Sequence, residues 1–140
     1  MKTIGTWLVD IPPSECEELL AASTLGRLAV VVDGRPEIFP VNHVFDEVER
    51  CVVFPSNAHT KLHAALNWPY VAFEIDGMNA DRPTGWSVLV VGRAEEVQDA
   101  DAIGRWCARR DIVWRCGQQT HWLRIVPEKV TGRRISGPAA

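Results

Sequence analysis

Two rhythms of apolar residues divide the chain. Arg27-Leu28-Ala29-Val30-Val31-Val32 is a β-branched run, Asp33-Gly34 is a hairpin turn signal, and Arg35 to Phe45 reads as the returning strand. Pro36 and Pro40 cannot donate to a ladder, so part of that strand lies at an edge, at a bulge or against something other than a strand. After a tight turn at Asp46 to Arg50 come the strands Cys51–Phe54, Tyr70–Asp76 and Trp86–Val97, the last with Gly92 marking a bulge or bend. His121–Val126 is a further strand that Pro127 closes, and Lys129 to Ile135 adds a last short one.

Helical spacing appears three times. Ser14-Glu15-Cys16-Glu17 reads as a capping box that opens a helix to about Ser23, with Gly26 ending it. Leu62, Ala65 and Leu66 recur at i, i+3, i+4 beyond Pro55. Asp99 caps a helix to about Ala108 through Ala102, Ile103 and Trp106. Six or seven hairpin-connected strands with three short helices predict a mainly β domain, a closed or partly closed antiparallel barrel. That order excludes a doubly wound dinucleotide fold, and neither Gly-x-Gly-x-x-Gly nor a nucleotide phosphate loop occurs. One domain spans 1–140, with no repeat or linker, a polar loop over 77–83 and a loose tail at 136–140.

Composition narrows the class rather than the function. The content is 46% apolar and 24% charged, with a net charge of −3 and interspersed signs, which points to a globular chain with neither nucleic acid nor an anionic membrane as partner. No run nears the roughly 20 apolar residues of a membrane span, and the start lacks a signal-peptide core, so a cytoplasmic location is expected. Cys16, Cys51, Cys107 and Cys116 fit neither a zinc module nor a disulfide framework and read as reduced.

The chemistry concentrates where the Cys51–Phe54 strand breaks into Pro55-Ser56-Asn57-Ala58 and resumes as a helix. Unpartnered amides, a positive dipole end, and donors on Ser56, His59, Thr60 and Lys61 suit one phosphate, although Ser-Asn before a helix is also ordinary capping chemistry. His59 and His63 stand four apart without a third ligand, so no metal is expected. Trp68 and Trp106 read as core, while Trp86 and Trp122 suit a cofactor or an interface.

Several segments together carry a resemblance: Gly26 to Val31, Asp33 to Pro36, Pro40 to Val44, Thr60-Lys61-Leu62, Val71 to Asp76, Gly85 to Ala94, and Trp122 to Ile125. In their order and spacing, over about 13–135, the chain resembles the pyridoxamine 5′-phosphate oxidase-like flavin-binding proteins, especially small actinobacterial ones. The resemblance implies a six-stranded antiparallel split β-barrel of the FMN-binding type. It also implies a homodimer with FMN at the subunit interface and a small planar substrate; some relatives use the deazaflavin coenzyme instead. On this likeness Pro40, Val41, Asn42 and His43 lie along the flavin ring, and Ser56 with Thr60 and Lys61 forms the phosphate corner. Trp86 and Ser87 face the cofactor, and Trp122 and Arg124 reach it from the far strand.

Two departures shape the expectation. Pro55 stands where relatives often carry Arg, removing one bidentate phosphate partner, and His59 replaces a small residue and is the candidate to supply the lost donor. The C-terminal part is too short for the substrate-binding end of a true pyridoxamine phosphate oxidase, so that activity is not expected. Hydride or electron transfer by FMN is the leading reading, ahead of the deazaflavin coenzyme and of a non-enzymatic flavin- or haem-binding protein. The sequence singles out no catalytic residue.

Overall fold

The computed structural model describes residues 7–56, 59–79, 81, 84–109 and 120–136. Eight strands and three helices follow one another as β1 (Trp7–Asp10), α1 (Pro13–Ala22), β2 (Leu25–Val32), β3 (Arg35–Asn42), β4 (Val44–Asp46), β5 (Cys51–Ser56), α2 (His59–Asn67), β6 (Tyr70–Asn79), β7 (Thr84–Val97), α3 (Ala100–Cys107) and β8 (His121–Ser136). All described ladders are antiparallel, in the order β3-β2-β6-β7-β8-β5-β4. The first and last strands of that sheet, β3 and β4, are separated in the chain by His43 alone. A sheet whose two edges are joined through one residue must curl round on itself, which makes a barrel.

The expected six strands are recovered with two differences. His43 divides the long returning strand into β3 and β4, because beyond it the chain changes partner from β2 to β5. A short N-terminal strand, β1, adds to the far end of β8, where Trp7 lies opposite Ser136. The β2–β3 turn is as expected, with Asp33 at φ 53° and Gly34 at φ 76°, the paired positive angles that match hairpin twist. β3 pairs with β2 and has its other side at the sheet's edge, so its prolines interrupt no second ladder.

Period-2 alternation builds the interior. Leu28 and Val30 of β2, Val52 and Phe54 of β5, Phe73 and Ile75 of β6, Val88 and Val90 of β7, and Leu123 and Ile125 of β8 point inward, all at most 2% exposed. Cys16 and Leu20 of α1 cap one end. A second cluster forms on the outside of β5 and β8, where α3 lays Ala102 and Trp106 over Val44, Cys51, Val53, Val97 and Trp122. Asp99 caps α3 as expected, accepting from the Asp101 and Ala102 amides. Trp106 is buried, whereas Trp68 is 55% exposed in the turn after α2 rather than in the core, because the helix ends before the indole can turn inward.

Three local expectations are corrected. α1 starts at Pro13 with no side-chain cap, since proline at the first position already presets φ and lacks one of the unpaired N–H groups; Ser14 then falls inside the helix. Gly26 belongs to β2, not to a helix stop, and it is glycine because the Phe73 ring occupies the space of a Cβ there. Pro127 does not end a strand: β8 runs unbroken past it, because the register shifts there, with Val91 facing Lys129 and Gly92 facing Pro127, which leaves Glu128 of β8 as the extra residue of a bulge. Cys16 and Cys51 are free and buried as expected, but Cys107 is disulfide-bonded rather than reduced, which motif spacing does not reveal. Cys116, the 117–119 loop, the 137–140 tail and parts of the 77–83 loop lie outside the described residues.

Candidate functional site

The barrel is split on one side of His43. β4 pairs with β5 from Val44 opposite Val53 to Asp46 opposite Cys51, whereas β3 pairs with β2 and only touches β5. Val41–Asn42 and Pro55–Ser56 therefore flank a seam without a ladder, and α2 starts just beyond it. His43 closes the seam from inside. It is wholly buried, its N–H donates to the Thr24 carbonyl at 2.9 Å, and its Nε2–H donates to the Leu20 carbonyl at 3.0 Å. The Phe73 ring meets it edge-on at 4.9 Å, and Nδ1 has no partner. Burial pushes its pKa below the usual histidine range, with the Leu20 carbonyl opposing and nearby Arg109 assisting.

Strand alternation sorts the sequence-predicted residues onto three surfaces. Val41, His43 and Ser56 are buried on the barrel's inner side, and Trp86 turns inward too, with its indole filling the space over Gly77. Pro40, Asn42 and Ser87 project from the outer face. Pro40 lies opposite Arg27, Arg27 opposite Glu74, and Glu74 opposite Leu89, two residues from Ser87. From β3 to β7 is three strand spacings, about 14 Å. Trp122 and Arg124 lie on a third surface, Trp122 under α3 and Arg124 beside Glu95. Trp122 is 2% exposed with its ring 5.0 Å from that of Trp106, and Arg124 Nε donates to Glu95 Oε1 at 2.6 Å.

The corner at α2 is only partly described. His59, Thr60 and Lys61 form its first turn, but their side chains, like Asn57 and Ala58, lie outside the described residues. Pro55 is buried opposite Trp122, so packing fills that position of the corner. Ser56 and Asn42 each already hold an interaction within the chain.

One chain does not bring all of these groups to one point. Trp86 faces Arg134 at one end of the β7–β8 ladder and Val97 faces Trp122 at the other, a path of about 35 Å at about 3.3 Å per residue. The outer face joining β3, β2, β6 and β7 carries exposed Leu25, Ile38, Tyr70 and Leu89 with half-buried Ala29, Ala72 and Val91. In its middle Arg27 bridges Glu74 at 3.0 Å and Asp76 at 2.8 Å. Burial and the neighbouring Asp76 push Glu74 above the usual carboxylate range, against the pull of Arg27. No local signal marked this trio, because it assembles across β2 and β6.

Asp46 was also missed. It is 4% exposed and accepts from the Val48 and Glu49 amides, from Trp106 Nε1 at 3.1 Å and from Arg105 at 3.1 Å. Burial alone would raise its pKa, but these four bonds outweigh it and hold the carboxyl below its usual range. Burial pushes both free thiols up, Cys51 to about 11, so neither is a thiolate at neutral pH. Among the described residues no cluster of three His, Cys, Asp or Glu side chains could hold a metal, and no helix is long and apolar enough to cross a membrane.

A cavity of about 670 Å³ lies between the β2–β3 turn and the second half of α2. It is larger than two others of about 320 and 250 Å³ that meet at Cys51 and Pro127.

The family model for pyridoxamine 5′-phosphate oxidase matches residues 12–134. An uncharacterized protein of Mycobacterium tuberculosis, Rv0080, is 33% identical over 91% of this chain and 86% of its own length. Among solved structures, an FAD-binding protein from Mycobacterium smegmatis is 36% identical with a TM-score of 0.71, covering 90% of this chain and 98% of its own. An FAD-binding protein from Mesorhizobium loti is 25% identical with a TM-score of 0.77, covering 94% and 99%.

Proposed function

This chain belongs to the pyridoxamine 5′-phosphate oxidase family, and on that basis we propose that it is an oxidoreductase that holds a flavin at the split beside α2 and serves hydride or electron transfer to a small planar substrate. The observation that carries the reading is the placement of Pro40, Asn42 and Ser87 on one outer sheet face, with Asn42 at the seam beyond which α2 starts. A sheet face about 14 Å wide is broad enough for a fused ring system, and a helix start suits the phosphate attached to it. The group proposed is FMN; FAD, which relatives bind, presents the same ring and an adjoining phosphate.

The bound group would supply the hydride chemistry itself. The chain's part is grip and charge. First-turn amides of α2 and the Lys61 ammonium would hold the phosphate, Lys61 as a point charge. Asn42 would donate to and accept from the ring edge, with Pro40 and Ser87 bordering the same face. The inward-facing Val41, His43 and Ser56 keep the backbone of the split in place. Arg124, permanently charged and further stabilised by its bond to Glu95, is the cation available to oppose negative charge on a reduced ring.

A homodimer completes this reading. A second chain laid on the outer face would cover its apolar residues and bring its own Trp122 and Arg124 within reach, which one chain's 35 Å ladder does not do. A second reading is favoured by Pro55. A corner one cation short suits a coenzyme that comes and goes, so the deazaflavin coenzyme as a diffusible cosubstrate is the alternative, with a non-enzymatic carrier beyond it.

The test is the absorbance of freshly purified protein, expected to show a band at about 450 nm, followed by calorimetric titration with FMN, FAD and the deazaflavin coenzyme. Colourless protein that binds none of them defeats the proposal. Preference for the deazaflavin coenzyme moves it to the second reading, and binding without turnover over a broad donor panel moves it to a carrier.

A further inference from the structure

We propose that the cavity at the far end of α2 seats the adenine ring of a dinucleotide flavin. The inference rests on the flavin reading above and extends it along the helix. The cavity, about 670 Å³, falls within the roughly 300–1,000 Å³ of small-molecule sites. Its lining joins apolar Val31, Val32 and Ala64 to Trp68, which is itself more than half exposed.

Trp68 is the anomaly that the cavity explains. The residue follows the last turn of α2 and remains 55% exposed, an unusual exposure for so large an apolar group. An indole at the mouth of a concave apolar site is a stacking surface, and any purine has a π-face to offer it. Asn67 Nδ2 donates to His63 Nε2 at 2.6 Å along the helix wall, which leaves the amide oxygen as acceptor. Asp33, held by the turn at positive φ, adds a carboxylate from the opposite wall. Two acceptors beside an aromatic face match the exocyclic amino group of adenine.

The spacing agrees with a molecule that starts at the phosphate corner. At about 1.5 Å per residue, α2 carries the chain about 6 Å from His59 to His63 and about 13 Å to Trp68. Positions 59, 63 and 67 follow one helix face, so a second phosphate, a ribose and a base can run along it from the first turn to the cavity.

Calorimetry with FMN, FAD and ADP on the full chain, on Trp68→Ala and on Trp68→Phe tests this. FAD is expected to bind at least about tenfold more tightly than FMN, and Trp68→Ala to weaken FAD and ADP by about tenfold while leaving FMN unchanged. Trp68→Phe, which keeps a ring, should retain most of the FAD affinity. FMN bound with FAD no tighter, or Trp68→Ala weakening both flavins alike, overturns the adenine seat and leaves the flavin reading standing. Neither flavin bound removes the flavin reading and this seat with it.

Discussion

Gly92 of β7 lies opposite Pro127 of β8, and a Cβ at position 92 would overlap the carbonyl of Val126. The two residues make one joint. The bulge at Val91/Gly92 shifts the ladder, the missing N–H of Pro127 falls at the shift, and both long strands bend without ending. Gly92→Ala should therefore push β7 and β8 apart at the bend and destabilise the fold by about 1–3 kcal/mol. Urea denaturation would read it as a lower midpoint, and an unchanged midpoint would contradict the close approach.

His43 makes stability depend on pH. Its pKa is lower folded than unfolded, so the unfolded chain binds more protons and stability is lost as pH falls below about 6.5 toward the folded value. The loss is at most about 1.4 kcal/mol per pH unit. Denaturation at pH 7.5 and 5.5 should show it in the native chain. His43→Gln should be less stable at the higher pH and flatter between the two.

A different window belongs to Asp46. Its depressed pKa means stability that is present above the unfolded value of 3.8 and is lost as pH falls through the folded value. Asp46→Ala strips Trp106 Nε1 and Arg105 of their acceptor and should cost about 2–4 kcal/mol at neutral pH. The expected signature is early loosening of α3, seen as faster amide exchange over 100–107 than in the barrel strands.

Charge at the phosphate corner is tested by Lys61→Ala. FMN affinity should fall by about tenfold or more, equivalent to losing a charged hydrogen bond, and the remaining affinity should depend less on salt. Titrations at two ionic strengths would show both, and unchanged affinity would remove the corner from the site.

The outer sheet face is tested at its centre. Ala72 is half-buried between Ala29 and Val91, and Ala72→Arg should convert a dimer to a monomer in sedimentation equilibrium while leaving the barrel folded. Coenzyme affinity should fall with the dimer. A native chain that sediments as a monomer would remove the two-chain site.

Alternation and turn chemistry, which act over a few residues, made much of this protein legible from its sequence. The Asp33-Gly34 hairpin, the Asp99 cap, the irregularity at Gly92 and the limits that proline sets on β3 all depend on local backbone preferences. The partner of each residue across the barrel was not legible, because it depends on which strands meet after the sheet closes. His43 ends one ladder and begins another only because β3 and β4 lie at opposite edges of a sheet that curls shut. Only the β7–β8 register, which sets Arg124 opposite Glu95, decides which glutamate that arginine meets. Trp68 has the same apolar character as Trp106, yet one helix ends short of the core and the other lies across it. Local energetics chose the elements; the closure of the barrel decided which side chains meet.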